Sequence, residues 1–434
     1  SRMRPPAPRE VPMRYDVAIV GAGPAGSATA IHLARGGLRV ALVDRCVFPR
    51  DKPCAEYLSP AAEPLLLELG IGDLLEAARP HRLRGFRIFA PDGGVCQGDF
   101  AATRGPDGAS LFETGLVIPR SRLDFAILQG ARRAGAEVFE GWRLGQIERL
   151  GADESADGAS WRLHPVGADG AGSGSGKAPE PIEARLLVAA DGLHSTVARR
   201  LGLHVVSRMR KIALVAHMRG IAGVGDYGEM HVAGRRYVGV APLEAPECGG
   251  LCNVALVVDE ARDGRRLAGK PEAFLLDALH TFPALHDRLE ALRVERHTLT
   301  VSRLSVRARR LSDAGLLLVG DATGYYDPFT GEGIYRALQS AGLAARVALP
   351  ALAAGDLSAV RLAAYDRAHR QAFRGKRLIE QIIQSAVRFP PLMNHIAWTL
   401  GRRKAMADTV VAVTGDFLPA SAVLRPGYLL RLVV

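Results

Sequence analysis

Short apolar runs closed by glycine or aspartate alternate, in the first part of the chain, with stretches whose apolar positions recur at helical spacing. In YDVAIVGAGPAGSATAIHLARGGLRVALVD (15–44) the pattern predicts a buried strand, a glycine turn, an amphipathic helix ending at Gly36-Gly37, and a second strand closing on Asp44. SRLDFAILQGARRAGAEVFEG (121–141) predicts a helix running into a strand. Between 211 and 262 the runs KIALVAHMRG, GRRYVGVAPL and LCNVALVV predict an antiparallel sheet. AGLLLVGDA (314–322) is another buried strand, and from Gly333 onward the period is helical for most of the remaining chain. Residues 150–181, with DGAGSGSGKAPEP inside them, read as a surface loop, the tip of a long hairpin. The architecture is α/β first, mixed sheet second, helices last.

Bulk properties narrow this only a little. A chain of 434 residues is long enough for two or three associated domains. With 48% hydrophobic and 23% charged residues it is globular material, neither disordered nor fibrous. The net charge of +11 favours anionic ligands such as phosphates. The basic residues are scattered rather than gathered with aromatics into a stripe, which argues against nucleic acid. Five cysteines (Cys46, Cys54, Cys96, Cys248, Cys252) form neither a CxxC pair nor a zinc-spaced cluster, so no metal is expected and a reducing cytoplasm fits. SRMRPPAPREVPMRYD has no apolar h-region, and no apolar run approaches the ~18 residues of a membrane span. QSAVRFPPLMNHIAWTL (384–400) mixes apolar and basic residues at helical spacing, which leaves a peripheral membrane habit open.

The chemistry begins at GAGPAG. Gly21, Gly23 and Gly26 fit G-x-G-x-x-G directly after a strand and opening a helix: Gly21 for the tight turn, Gly23 for the approach of a pyrophosphate, Gly26 for close helix–strand packing. Asp44 stands near the expected distance for an acid that takes ribose hydroxyls. The fingerprint alone does not choose between NAD and FAD. Two later stretches, LLVAADGLHS (186–195) and LLLVGDATGYYDPFTGEGI (316–334), each end a buried strand in an aspartate turn, bringing carboxylates to the same sheet edge. A long ligand can use several such turns, and FAD has a ribityl chain for an aspartate to grip.

GAGPAG with Asp44-Arg45, PRSRLD (119–124), AADGLHS (189–195) and GDATGYYDPFTGEGI (320–334), in that order, resemble the flavoprotein hydroxylases of the p-hydroxybenzoate hydroxylase type together with their geranylgeranyl reductase and flavin-dependent halogenase relatives. The resemblance implies a Rossmann-like FAD-binding domain of the glutathione-reductase type, assembled from residues 14–95, 120–205 and 306–345. It further implies a substrate-side insertion at 96–119, an inserted mixed or antiparallel β-sheet substrate domain at 206–305, and a C-terminal helical region at 346–434. In such enzymes the Gly320-Asp321 aspartate binds the ribityl chain. The turn Pro328, Gly331, Glu332, Gly333, Ile334 then lays backbone N–H groups and a helix N-terminus beside the electron-rich end of the flavin. Arg120 reaches the phosphate region, Asp191-Gly192 is the second dinucleotide signature, and Pro24 and Ala25 complete the first turn. With no second complete G-x-G-x-x-G, NAD(P)H is expected to dock transiently, and arginines near the site would favour the 2′-phosphate of NADPH.

Where the relatives divide, DKPCAEYLSP (51–60) resembles the K-x-C-G-E/G segment of the reductases and halogenases, with Ala55 in place of glycine. Cys54 is expected to pack near the cofactor; Lys52 and Glu56 are hydrogen-bonding groups of the pocket or surface charges. YVGVAP (237–242) resembles the Y-x-W-x-F-P of prenyl reductases, with Gly239 and Ala241 replacing the two bulky residues, and the halogenase G-W-x-W-x-I-P is absent. Tyr57, His217, Tyr237, Gly239 and Phe329 are the expected substrate-pocket residues. His217, His231, Cys252 and Asn253 fall in the substrate sheet, and none is singled out as a catalytic base. The reading is an FAD-dependent, NAD(P)H-using monooxygenase that hydroxylates an apolar aromatic or polyketide-like metabolite through the C4a-hydroperoxide. The alternatives are a reductase of isoprenoid carbon–carbon double bonds, a halogenase, and a non-catalytic flavin carrier.

Overall fold

A computed structural model of the chain describes residues 12–104, 108, 110–151, 160–166, 180–207, 209–245 and 250–433. The N-terminal arm, the tracts 152–159 and 167–179 of the expected loop, and Cys248 lie outside the described residues. Within that expected loop, Trp161–Pro165 is a strand, antiparallel to both Leu144–Arg149 and Ile182–Ala189. The reason is a period of two: Trp161, Leu163 and Pro165 are buried while Arg162 and His164 are not. The glycine-rich flanks conceal that alternation in the sequence.

Five parallel strands form the centre of the first sheet, in the spatial order Leu316–Leu318, Ile182–Ala189, Met13–Val20, Val40–Val43, Glu137–Phe139. The near-continuous burial of the first four is that of strands covered on both faces, while the edge strand Glu137–Phe139 is only partly covered. Val20 is in register with Val43 and with Ala189, and Ala189 with Leu318. Gly21, Asp44, Ala190 and Val319 therefore leave the sheet at one level, at the carboxyl ends where ligands of such sheets sit. Helices Pro24–Arg35, Arg120–Arg133 and Gly333–Ala353 bury their apolar faces in a common core with these strands.

A second sheet has seven strands in the order Leu289–Ser302, Lys211–Ile221, Cys252–Asp259, Arg236–Pro242, Tyr227–Ala233, Gly85–Phe89, Val95–Asp99. One face, with Leu214, Val238, Val254 and Leu256, is covered by helices Glu260–Leu267, Pro271–Leu279 and Pro283–His286. The other face packs with the helices Lys376–Arg388 and Pro390–Arg402 through Ala213, Met230, Val257, Ala386, Val387, Met393 and Ala397.

Two of the expected boundaries fall inside continuous structure. Gly85–Phe89 pairs in parallel with Tyr227–Ala233, so the chain enters the second sheet before residue 96. Helix Gly333–Ala353 runs unbroken through 345/346.

Candidate active site

The first turn gives its three glycines three different environments. Gly21 has φ +102°, and a Cβ there would lie 2.4 Å from the Ala190 carbonyl oxygen. At Gly26 a Cβ would lie 1.8 Å from the Gly21 carbonyl oxygen, so helix and strand touch through it. At Gly23 the nearest atom to a Cβ is Arg50 Nη2, 3.8 Å away; the space is open. Gly23, Pro24 and Ala25 line a cavity of ≈ 200 Å³, with Pro24 at the start of the helix.

Asp44 braces this turn from behind. One carboxylate oxygen accepts from Ala22 N–H at 2.8 Å and the other from Cys46 N–H at 2.8 Å. Arg45 is exposed and does not line the cavity. At the next strand end Asp191 Oδ2 accepts from Thr196 and Val197 N–H at 2.6 and 3.1 Å, while its buried Oδ1 has no hydrogen-bond partner among the described residues. Burial holds this carboxyl above the usual range. Gly192, Gly320, Asp321, Pro328, Gly331, Gly333 and Ile334 all line the cavity. Gly331 has φ +70°, and a Cβ on it would strike the Tyr57 ring at 2.5 Å. Glu332 turns away: Lys376 Nζ donates to its Oε1 at 3.2 Å and to Asp416 at 2.8 Å, and burial with the Glu332 charge pushes the Asp416 carboxyl up to about 7.

Beside the glycine turn sits a cationic group that the motifs only partly reveal. Arg120 donates from Nε and Nη2 to Asp124 at 2.7 and 2.8 Å, and Arg50 reaches the same carboxylate at 3.0 Å. Lys52 and Arg120 line the cavity. Lys52 Nζ is 3.2 Å from the Cβ direction of Gly192. Burial pushes the Lys52 ammonium below its usual range, and repulsion by Arg120 and Arg50 adds to this. Three cations against Asp124 and Asp321 leave an excess of positive charge where a pyrophosphate would lie.

Glu56 is the centre of a second buried network. Fully buried at φ +61°, it receives Arg120 N–H at 3.0 Å and Arg296 Nη1 at 3.2 Å on Oε1, and lies 2.6 Å from His217 Nε2 and 2.8 Å from Asn253 Nδ2 on Oε2. Burial alone would raise its carboxyl, but the His217 hydrogen bond and charge, the Arg120 amide and Arg296 hold it below the usual range. His217 is therefore engaged with Glu56 and does not line the cavity. Asn253 Nδ2 also reaches the Cys54 carbonyl at 3.0 Å, tying the cofactor-side segment 51–58 to the second sheet.

A third group joins the flavin-side turn to the sheet. Tyr237 donates its hydroxyl to Asp327 Oδ1 at 2.6 Å, Lys211 Nζ donates to Oδ2 at 2.7 Å, and Phe329 N–H donates to Oδ1 at 3.0 Å. Phe329 itself lies outside the cavity lining, its ring edge-on to Tyr237 with centroids 5.0 Å apart. Asp327 carried no signal in the sequence beyond its place before Pro328.

Apart from Tyr237, the second sheet gives the cavity only aliphatic groups: Ala213, Val215, Met230, Gly239, Ala255, Val257 and Val301, with Leu304 adjacent. Tyr57 and Cys54 also face it. Ala241, expected as missing bulk on this wall, packs instead with Tyr57, Leu83 and Phe100 away from the lining. The strand ends at Pro242, three residues beyond Gly239's place on the wall.

The sequence profile of the FAD binding domain family matches residues 14–380. The chain is 31% identical over 366 residues to digeranylgeranylglycerophospholipid reductase 1 of Methanothermobacter thermautotrophicus, covering 82% of each. It is 28% identical over 428 residues to conditioned medium factor receptor 1 of Dictyostelium discoideum, covering 95% of this chain and 79% of that protein. Among solved structures, a flavoprotein/dehydrogenase from Cytophaga hutchinsonii superposes with a TM-score of 0.77 at 19% identity, over 93% of both chains. The chain belongs to the FAD binding domain family and is an FAD-dependent oxidoreductase. Its residues fit that cofactor: an open space over Gly23, cations beside it, and a cavity that continues past the Asp321 and Pro328–Gly333 turns.

Proposed function

We propose that this member of the FAD binding domain family reduces a carbon–carbon double bond in an apolar, isoprenoid-like substrate, with NAD(P)H as the transient reductant. The observation that carries the reading is the sheet-side wall of the cavity, which is aliphatic except for Tyr237, whose hydroxyl is already donated to Asp327. Such a wall favours a hydrocarbon and offers no base to ionise a phenol, as hydroxylation of a phenolic ring would need. The similarity to a digeranylgeranylglycerophospholipid reductase supports the same reading.

FAD, when bound, supplies the hydride equivalent. Gly23 and the cations beside it would hold the pyrophosphate, and Asp321 the chain beyond it. The turn ending at Gly333 would put backbone donors and a helix N-terminus beside the ring system. The wall of Val215, Ala255, Val257 and Val301 orients the substrate chain and excludes water. One hydride and one proton add across the double bond, so the product gains two hydrogens.

A second reading, hydroxylation of a wider apolar polycycle, rests on Gly239. Gly239 lines the cavity with no side chain of its own, and a Cβ there would meet Met230 Cε only at contact distance, 3.7 Å, so the wall is free of the bulk that a larger residue would add. The test is an anaerobic incubation of dithionite-reduced protein with a polyprenyl substrate, read by mass spectrometry. Reduction predicts a product heavier by two hydrogens per bond with no oxygen present. No anaerobic product, with an oxygenated product formed under air, overturns it.

A further inference from the structure

The C-terminal helices present an outward surface unlike the rest of the molecule. Of the large apolar side chains that stay exposed, Phe389, Leu392, Trp398, Leu429 and Leu430 fall on the helices Pro390–Arg402 and Pro426–Val433 or immediately before them, with Phe389 60%, Trp398 54% and Leu430 66% exposed. The two helices are joined: His395 Nε2 lies 3.1 Å from the Leu432 carbonyl oxygen, and the His395 ring stacks on Trp398. Between residues 374 and 432 every exposed charged side chain is basic. The acids of the stretch, Glu380, Asp408 and Asp416, are buried or half-buried and are paired with Arg336, Lys404 and Lys376. Arg402 lies 4.5 Å over the Trp398 ring, so cation and aromatic share one face.

We infer that this face docks on an anionic lipid surface. Amphipathic side chains at the level of the headgroups with bases around them are the composition that interfacial helices use, and an acidic surface attracts each added base. The inward side of the same layer gives the face its purpose, on the reading that the substrate is an apolar lipid. Ala386, Val387, Met393 and Ala397 pack in one cluster with Met230, Val257 and Leu304 of the cavity wall. A lipid-borne chain would then pass from the bilayer into the cavity beneath these helices without crossing water.

The test uses the FAD-loaded full chain and vesicles of phosphatidylcholine with or without phosphatidylglycerol, read by co-sedimentation and tryptophan fluorescence. Trp142 and Trp161 are 3% and 2% exposed, so changes in acrylamide quenching report Trp398. Binding to the phosphatidylglycerol vesicles, with Trp398 blue-shifted and protected, is the expected result. Arg388→Gln with Arg402→Gln should weaken that binding about tenfold or more, and Phe389→Ser with Trp398→Ser should abolish it, both variants retaining FAD and helical circular dichroism. Absence of binding to anionic vesicles overturns the inference, as does a lipid-free protein of doubled mass whose Trp398 is already shielded, since a second copy would then cover the face. Neither result touches the anaerobic double-bond assay, which runs on detergent-dispersed substrate.

Discussion

The two halves of the cavity are built from different parts of the polypeptide. On the cofactor side the surface is backbone: Gly23, Gly192, Gly320, Gly331 and Gly333 bring main chain to the lining, with a few fixed charges behind it. On the substrate side it is side chain, and those side chains are small aliphatics on strands. A site made of backbone constrains the sequence sharply, because only glycine leaves the space or adopts the angle. A site made of aliphatic side chains constrains it hardly at all, because valine and alanine on a strand are what any core requires.

The largest predicted effects break the cofactor half in two distinguishable ways. Gly26→Ala should prevent the helix from seating against the strand, since its Cβ would lie 1.8 Å from a carbonyl oxygen. A loss of about 3 kcal/mol or more is expected, seen as a collapse of soluble yield or thermal midpoint. Gly23→Val should leave a folded protein without FAD, because its side chain enters open space that the pyrophosphate needs. The check is the ratio of visible to ultraviolet absorbance after purification; a yellow Gly23→Val protein would mean the turn holds something else.

Next comes the joint between the halves. Glu56→Gln leaves Arg296 and His217 without their buried carboxylate and should cost about 3–5 kcal/mol in chemical denaturation. The pH dependence has a defined sign. The folded-state pKa of Glu56 lies below its ordinary value of 4.5, so its stabilisation is full above that value and is lost as pH falls through the folded-state value. An acid-unfolding curve that is steeper for the native protein than for Glu56→Gln in that window supports the network; superimposable curves refute it.

Tyr237→Phe should cost about 1.5–3 kcal/mol, the value of a hydrogen bond to a charged group, because Asp327 keeps Lys211 and the Phe329 amide. Thermal melts measure that loss. Turnover falling tenfold at an unchanged melting point would instead give the hydroxyl to the substrate.

This contrast also explains what could be read from the sequence. Gly21, Gly23, Gly26, Asp321 and the Pro328–Gly333 turn stand out because spacing and residue type are forced at a strand end, and the strand order then places them together. Glu56 could not be recognised as a hub, since three of its partners, His217, Asn253 and Arg296, are over a hundred and fifty residues away. The wall residues Ala213, Val215, Ala255 and Val257 look like ordinary strand positions, and only register shows that one face of each strand turns to the cavity. Asp44 and Asp191 illustrate the middle ground. Their positions at strand ends are legible in the sequence, but only the folded chain shows that both brace backbone N–H groups with their carboxylates.

The most direct test of the division between the halves is a titration of the flavin absorbance spectrum with a polyprenyl ligand and with a phenolic one, in the native protein and in Gly239→Leu. Gly239 lines the cavity, and a Cβ there would already touch Met230 Cε at 3.7 Å, so leucine should crowd the substrate half while leaving the cofactor half intact. The prenyl ligand should perturb the native flavin spectrum and the phenol should not, and Gly239→Leu should retain full FAD but lose the perturbation. A phenol-induced shift, or a prenyl response undiminished in Gly239→Leu, would contradict that division.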